Sequence, residues 1–276
     1  MVDINVYSSR QVGPDSTLTT QTRPGFLAAA RELLERLEAQ SAEIDAATAA
    51  CADAIATGGL VHLFGTGHSR IPVEEMFPRY GSYPGFNPLV ELSMTFHTQV
   101  VGTNGQRQAM FIERMPGLAD RILANFELGP PDAMMVFSAS GLTAVPIEMA
   151  VGARERGLKV IAVTSVAQSQ AAEPTHPAGR LLDNADVVLD LATPAGDAMV
   201  YVEGLDTPVA PGSSLAAVAL VNEIKARTAV VLVERRAMPP VLTSAELVGR
   251  EASDRLFDDA YAEHARRVAR TLRGAG

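Results

Sequence analysis

Residues 61–74 read VHLFGTGHSRIPVE, and residues 134–148 read MMVFSASGLTAVPIE. Each stretch opens as a short apolar run ending in phenylalanine, then turns through small residues. Each resumes in the same order: hydroxyl, any residue, β-branched residue, proline, β-branched residue, glutamate. Ser69-Arg70-Ile71-Pro72-Val73-Glu74 is the first copy and Thr143-Ala144-Val145-Pro146-Ile147-Glu148 the second. The apolar runs have strand length and are bounded by turn residues, so they read as buried strands. The hydroxyl falls where a helix N-cap falls. Proline in the first helical turn loses little, because its N–H would have no partner there. The chain therefore builds strand, small polar loop and helix start twice.

A helix start offers unpaired N–H groups and the positive end of a dipole. In an open α/β sheet such loops lie at the carboxyl ends of the strands, where ligands bind. Two of them side by side make an anion cradle. Gly67 and Gly141 let backbone approach a ligand closely, and hydroxyls at Ser69, Ser138, Ser140 and Thr143 add donors. Phosphate is the expected guest. The plainer alternative is that such turns need small residues and caps whether or not they bind anything; the crowding of hydroxyls in SASGLT favours a ligand. GTGHSR has Arg70 where a dinucleotide fingerprint needs its third glycine, and no GxxxxGK[ST] occurs. The phosphate is therefore expected on something other than NAD or ATP.

Outward from these loops the pattern alternates. KVIAVTS and DVVLDL read as strands, with VPIEMAVGARERG helical before them, so the chain is built of βαβ units around a parallel sheet with right-handed crossovers. Before the first loop, FLAAARELLERLEAQSAEIDAATAACADAIATGG predicts two helices, broken near Ser41 and closed by Gly58-Gly59. Ser213 to about Arg235 predicts a long, mostly apolar helix. A last helix is expected over about 244–272, opened by a capping box at Thr243-Ser244-Ala245-Glu246. Residues 1–24 are expected to form a flexible tail, and residues 25–276 one domain with helical extensions at both ends.

Composition narrows the function. Nearly half of the 276 residues are apolar, enough for a full core. A formal charge of −9 without a basic run argues against nucleic acid and anionic membranes as partners. No apolar window is long enough to span a membrane, and the polar start has no secretory h-region. A lone cysteine, Cys51, excludes an internal disulfide framework and a cysteine-built zinc site. A cytoplasmic location is expected.

SASGLT resembles the serine/threonine-rich phosphate loop of the sugar isomerase (SIS) domain family, and GTGHS resembles that family's first loop. The likeness continues through LKVIAVTS, HPAGRLLDNADVVLDL, PAGDAMVYVEG, PGSSLAAVALVNEI and ERRAMPPVLTSAE, over about residues 26–255. The longer pattern resembles a bacterial subfamily of single-SIS proteins. The resemblance implies an α/β fold, an SIS-type three-layer α/β/α sandwich with a five-stranded parallel sheet. It also implies a sugar phosphate as ligand and a homodimer with sites near the subunit interface. In phosphoheptose isomerases a helix after the first loop carries an AEELxxRY-like run with a catalytic glutamate. Val73-Glu74-Glu75-Met76-Phe77-Pro78-Arg79-Tyr80 is similar but lies about one helical turn closer to the loop. The metal-binding histidine of that family has no counterpart here, so neither zinc nor another cofactor is expected.

An aldose–ketose isomerase moves a proton between adjacent carbons through an enediol, and it needs a carboxylate base and an acid that opens the ring. Glu75 is the first candidate base. Glu74 points about a quarter-turn away, and either residue taken alone reads equally well as a solvated helix face. His68, in the loop, is the candidate acid or hydroxyl ligand. Ser213, Ser214 and Asn222 lie on the long helix that resembles the family's site-completing helix. An N-cap role is the alternative for the serines, and Asn222, polar in AAVALVNEI, needs a partner. His62 reads as core, His97 as packed, His264 as surface, and His176 as part of a loop that resembles a family loop. Glu91 is a reserve site residue, and Asp197 and Glu203 either resemble subfamily positions or pin their loop. Two rival functions remain: a lyase of the same fold, as the N-acetylmuramate-6-phosphate etherases of this broad family are, and a non-catalytic phosphosugar sensor.

Overall fold

The computed structural model describes residues 25–95 and 105–272. The tail expected over residues 1–24, and His97, lie outside the described residues. In chain order the elements are α1 (Phe26–Glu38), α2 (Ser41–Ala56), β1 (Val61–Gly65), α3 (Ile71–Met76), β2 (Phe86–Pro88), α4 (Gly105–Ile112), α5 (Leu118–Leu123), β3 (Ala133–Phe137), α6 (Ala144–Glu155), β4 (Lys159–Thr164), α7 (Val166–Gln170), β5 (Val187–Asp190), β6 (Ala198–Val200), β7 (Val209–Pro211), α8 (Ser213–Glu234), α9 (Ala245–Val248) and α10 (Arg250–Ala269).

Five strands form one parallel sheet in the order β2-β1-β3-β4-β5. Side chains alternate across it, as the pleat requires. Leu63, Met135 and Ile161 share one register row and pack with α2, α3 and α8 on one face. Phe64, Val136 and Ala162 are the next row and pack with α5 and α6 on the other. Both faces are covered, which is why these strands are apolar throughout rather than alternating. The result is the expected three-layer α/β/α architecture.

The strand order matters for function. From β1 the chain passes to β2 on one side of the sheet, and β3 then pairs with β1 on its other side. The loops leaving β1 and β3 diverge at their carboxyl ends, which opens a crevice between them. The two echoed loops are these two loops.

At the opposite end of β1, His62 is fully buried and held in a polar network. Its Nδ1 accepts from Asn87 Nδ2 at 3.0 Å, so the ring proton sits on Nε2 and donates to Asp132 Oδ2 at 3.2 Å. Asp132 Oδ1 accepts from the Leu60 N–H at 2.8 Å. His62 is core, as its strand position predicts. Asp132→Ala strips two buried donors of their acceptor and is expected to cost about 2–4 kcal/mol of stability. Chemical denaturation measures this; a loss below about 1 kcal/mol would show that the network contributes nothing specific.

Three long-range ties hold the periphery. The Gln40 side chain both donates to Asp190 O at 2.6 Å and accepts from Asp190 N at 2.9 Å, on the outer edge of β5. Arg267 of α10 is buried and donates to Ile55 O and Gly59 O, capping the carboxyl end of α2. The isolated bridge Phe126–Leu272 lies beyond it.

Several expectations are corrected in detail. The last helix is split, because Gly249 takes φ +83 after the single turn of α9. Ser244 stands at the N-cap but makes no side-chain cap bond. His264 is not a surface residue: its ring packs 4.7 Å from Phe77, and burial holds its pKa below the usual histidine value. Cys51 is buried, and burial pushes its thiol up to about 12. Among the described residues no helix is long and apolar enough to cross a membrane.

Candidate functional site

The crevice between β1 and β3 holds a cleft of about 370 Å³, walled by Thr66, Gly67, His68 and Ser69 from the first loop and by Ser138, Ser140 and Thr143 from the second. A small recess of about 20 Å³ adjoins it, sharing His68, Ser69, Ser138 and Ala139 and reaching Ser213 and Ser214 at the start of α8. The sequence-predicted residues Gly67, His68, Ser69, Ser138, Ser140, Thr143 and Ser213 are thus brought to one place. Gly141 lies just behind it.

The second loop is built rigidly. Ser138 N donates to Val163 O, Ser165 N donates to Ala139 O, and Leu181 N donates to Gly141 O. Gly141 takes φ +62, and a side chain there would meet Thr164 Oγ1 at 2.8 Å. Within the loop, Ser138 Oγ accepts from Gly141 N at 3.2 Å and Ser140 Oγ from Leu142 N at 3.4 Å. Both hydroxyls are therefore oriented by backbone donors, which leaves their protons to be directed at a ligand. Thr143 is the N-cap of α6 by backbone geometry, yet its side chain makes no cap bond. Its hydroxyl lines the cleft instead.

The first loop departs from expectation. Ser69 does not cap α3: residues Gly67–Arg70 form a 3₁₀ turn, and Arg70 is the N-cap. The turn swings His68 and Ser69 into the cleft wall. Glu74 is exposed and paired with Arg70 at 2.5 Å, as a solvated helix-face residue would be.

Glu75 and Asn222 are brought together, Asn222 Nδ2 donating to Glu75 Oε1 at 2.9 Å and to Val218 O at 2.9 Å. Arg79 pairs with the other Glu75 oxygen, and the buried Lys225 donates to Glu75 O and Ser82 Oγ. Burial pulls Glu75 upward, but the hydrogen bonds from Asn222 and Arg79 and the nearby positive charges outweigh it, so its pKa lies below the ordinary glutamate value. Burial pulls Lys225 below the usual lysine value. This cluster packs between α3 and α8, and neither Glu75 nor Asn222 lines the cleft or its recess.

A different carboxylate does. Glu113, just past α4, lines the cleft and accepts from Thr66 Oγ1 at 2.7 Å. Its backbone carbonyl accepts from Val145 N at the start of α6, which ties it to the second loop as well. Sequence reasoning passed over it, because Glu113-Arg114 after an amphipathic turn looks like any solvated charge pair. Only the contact with Thr66, distant in sequence, reveals it. Gln168 of α7 also lines the cleft and gave no sequence signal.

The remaining candidates have structural partners. His176 Nδ1 accepts from Ala178 N, and its Nε2 donates to Glu148 at 3.2 Å; Glu148 also accepts from Gly117 N. Glu91 caps a 3₁₀ turn by accepting from Ser93. Asp197 pins the start of α8, accepting from Gly212 N, Ser213 N and Ser213 Oγ. The cap itself is Gly212, so Ser213 is the first helical residue.

A doubly covered parallel sheet whose divergent loops converge on one hydroxyl-lined cleft defines an α/β domain with its cleft at the carboxyl ends of the strands. The SIS domain model matches residues 25–165, and the chain belongs to the SIS domain family. Its relatives include the UPF0309 protein of Streptomyces avermitilis, 35% identical over 243 residues that span 84% of this chain and 95% of that one. Another is a UPF0309 protein of Geobacillus kaustophilus, 33% identical over 76% of this chain and 82% of that one. Among solved structures, a phosphoheptose isomerase from Neisseria gonorrhoeae aligns with a TM-score of 0.46 and 15% identity, over 72% of this chain and 93% of that one.

Proposed function

We propose that the protein is a cytoplasmic, homodimeric enzyme that binds a sugar phosphate in this cleft and interconverts its aldose and ketose forms through an enediol. The observation that carries the reading is the orientation of Ser138 and Ser140. Each hydroxyl oxygen is occupied by a loop N–H, so each proton is left for an anion, beside Thr143 and the start of α6. The sugar then extends toward His68 and Glu113. His68 serves as the acid that opens the ring, and a glutamate carries the proton between carbons. Its position in the cleft wall supports Glu113 in that role, and Glu75 remains the candidate that the sequence motif puts forward. The homodimer is supported by α8, where Val230 and Val233 lie exposed on a largely apolar helix. Sedimentation equilibrium tests it, with twice the chain mass expected.

The binding step is tested by thermal shift with a panel of sugar phosphates, each beside its unphosphorylated sugar. A ligand at about a hundred times its Kd adds about 2.7 kcal/mol, which for a chain of this size raises Tm by about 5–10 °C. If no phosphorylated sugar in a broad panel shifts Tm more than its parent sugar does, the reading fails.

A further inference from the structure

The hydroxyls around the cleft are not equivalent, and the difference reads out which end of a ligand each one meets. Ser138 and Ser140 accept from backbone N–H groups, and so have protons to give. Ser213 is arranged the other way. Its Oγ lies 2.5 Å from Asp197 Oδ2, and a carboxylate has only lone pairs, so the shared proton is the serine's. Asp197 is itself fixed: Oδ1 accepts from Ser213 N at 2.8 Å and from Gly212 N at 3.2 Å. Its backbone takes φ +67, a left-handed conformation uncommon outside glycine and held here by those bonds. The neighbouring strands β6 and β7 pair on either side of this latch, Ala198 opposite Pro211. With its proton committed, Ser213 presents only lone pairs to the recess it lines.

We propose that Ser213, oriented by Asp197, is a specificity residue that accepts a hydrogen bond from a ligand hydroxyl or amine, and that it takes no part in holding phosphate. An acceptor aimed at a phosphate oxygen would repel it; an acceptor aimed at a polyol is satisfied by it. The ligand is thereby oriented, with phosphate at the Ser138–Thr143 loop and a hydrogen-bond donor of the sugar in the recess against α8. Inorganic phosphate and simple alkyl phosphates gain nothing from Ser213. The inference rests on the phosphosugar reading above.

Isothermal titration with two probes separates the possibilities: glucitol 6-phosphate, which carries hydroxyls along its chain, and n-hexyl phosphate, which carries none. The wild-type protein is expected to prefer glucitol 6-phosphate. Ser213→Ala is expected to lower that preference about tenfold, with the Kd for hexyl phosphate changed by less than about twofold. Asp197→Asn tests the positioning role. Asparagine tolerates the left-handed backbone, and its amide N–H₂ facing Ser213 turns the serine proton toward the recess. A polyol hydroxyl rotates to accept that proton, so glucitol 6-phosphate is expected to keep its preference. A third probe, 6-methoxyhexyl phosphate, has an ether oxygen that can only accept. It is expected to bind the wild-type protein no better than hexyl phosphate does and to gain about tenfold over it in Asp197→Asn, whereas a merely structural lesion would weaken all probes alike. The proposal is overturned if Ser213→Ala weakens both probes equally, which would make Ser213 a phosphate donor, or if Asp197→Asn gives 6-methoxyhexyl phosphate no advantage over hexyl phosphate. If the wild-type protein binds glucitol 6-phosphate no more tightly than hexyl phosphate, the proposal is overturned while the phosphosugar reading stands; that reading fails only if the broad thermal-shift panel shows no phosphate-dependent shift.

Discussion

Glu113→Gln is expected to lower kcat for aldose–ketose interconversion by about 100- to 10,000-fold while the Kd for the sugar phosphate changes little. Removing a positioned general base typically costs that much, and an amide of the same shape keeps the Thr66 hydrogen bond that a carboxylate makes. The companion variant is Glu75→Gln. The sequence motif favours Glu75 because it lies on the helix after the first loop, within a run similar to the catalytic segment of phosphoheptose isomerases. The geometry argues otherwise: both Glu75 oxygens are engaged, by Asn222 and Arg79, outside the cleft lining. Those partners also favour its ionised form, which weakens it as a base. Steady-state kinetics and calorimetry on the two variants decide between them. Loss of turnover in Glu75→Gln with near-normal turnover in Glu113→Gln would return the role to Glu75. Retention of turnover in both, with binding intact, would remove glutamate catalysis by either residue.

Gly141→Ala is expected to damage both stability and binding. The residue sits at φ +62, where an alanine is strained, and its Cβ would stand 2.8 Å from Thr164 Oγ1 and 3.3 Å from Ser169 Oγ. Thr164 does not give way easily, because it is buried and bonded to Ala139 O. A cost of about 2–3 kcal/mol follows, or about 5–10 °C in Tm for a chain of this length. The loop that holds Ser138 and Ser140 shifts with it, and sugar phosphate affinity should fall by about tenfold or more. Gly67→Ala is the control. Gly67 is also left-handed, at φ +53, but nothing lies within 4 Å of the added carbon. Its cost should stay near about 1 kcal/mol. Equal losses in the two variants would mean that backbone strain alone, and not the packing behind the second loop, decides the outcome.

The sheet was legible because its evidence is local. Four of its strands are short, continuous apolar runs between turn residues, and the alternation with helical segments fixes the layer order. The loops were legible because the same six-residue pattern occurs twice. Ser69 was misread as a cap because a hydroxyl before a proline-bearing helix has that signature whether the turn is α or 3₁₀. What the sequence hides is long-range pairing. Glu113 is tied into the cleft wall through Thr66, and Asn222 finds its partner in Glu75, far away in the chain. Asp197 illustrates the same limit in another way: as a letter it is one acid among many, but its three hydrogen bonds decide where the proton of Ser213 points.

The Gln40 clamp on β5 has a consequence for the molecule in a crowded cell. An open edge of a parallel sheet is a row of unspent donors and acceptors, ready to recruit a strand from any passing chain. At Asp190 both outward groups are already matched by one side-chain amide, which imitates the next strand without being one. The clamp comes from the short link between α1 and α2, so the helices that cover the sheet also bring the piece that finishes its margin. At that position growth by templating has no foothold, and this protein can carry a highly apolar sheet without offering that end of it to its neighbours.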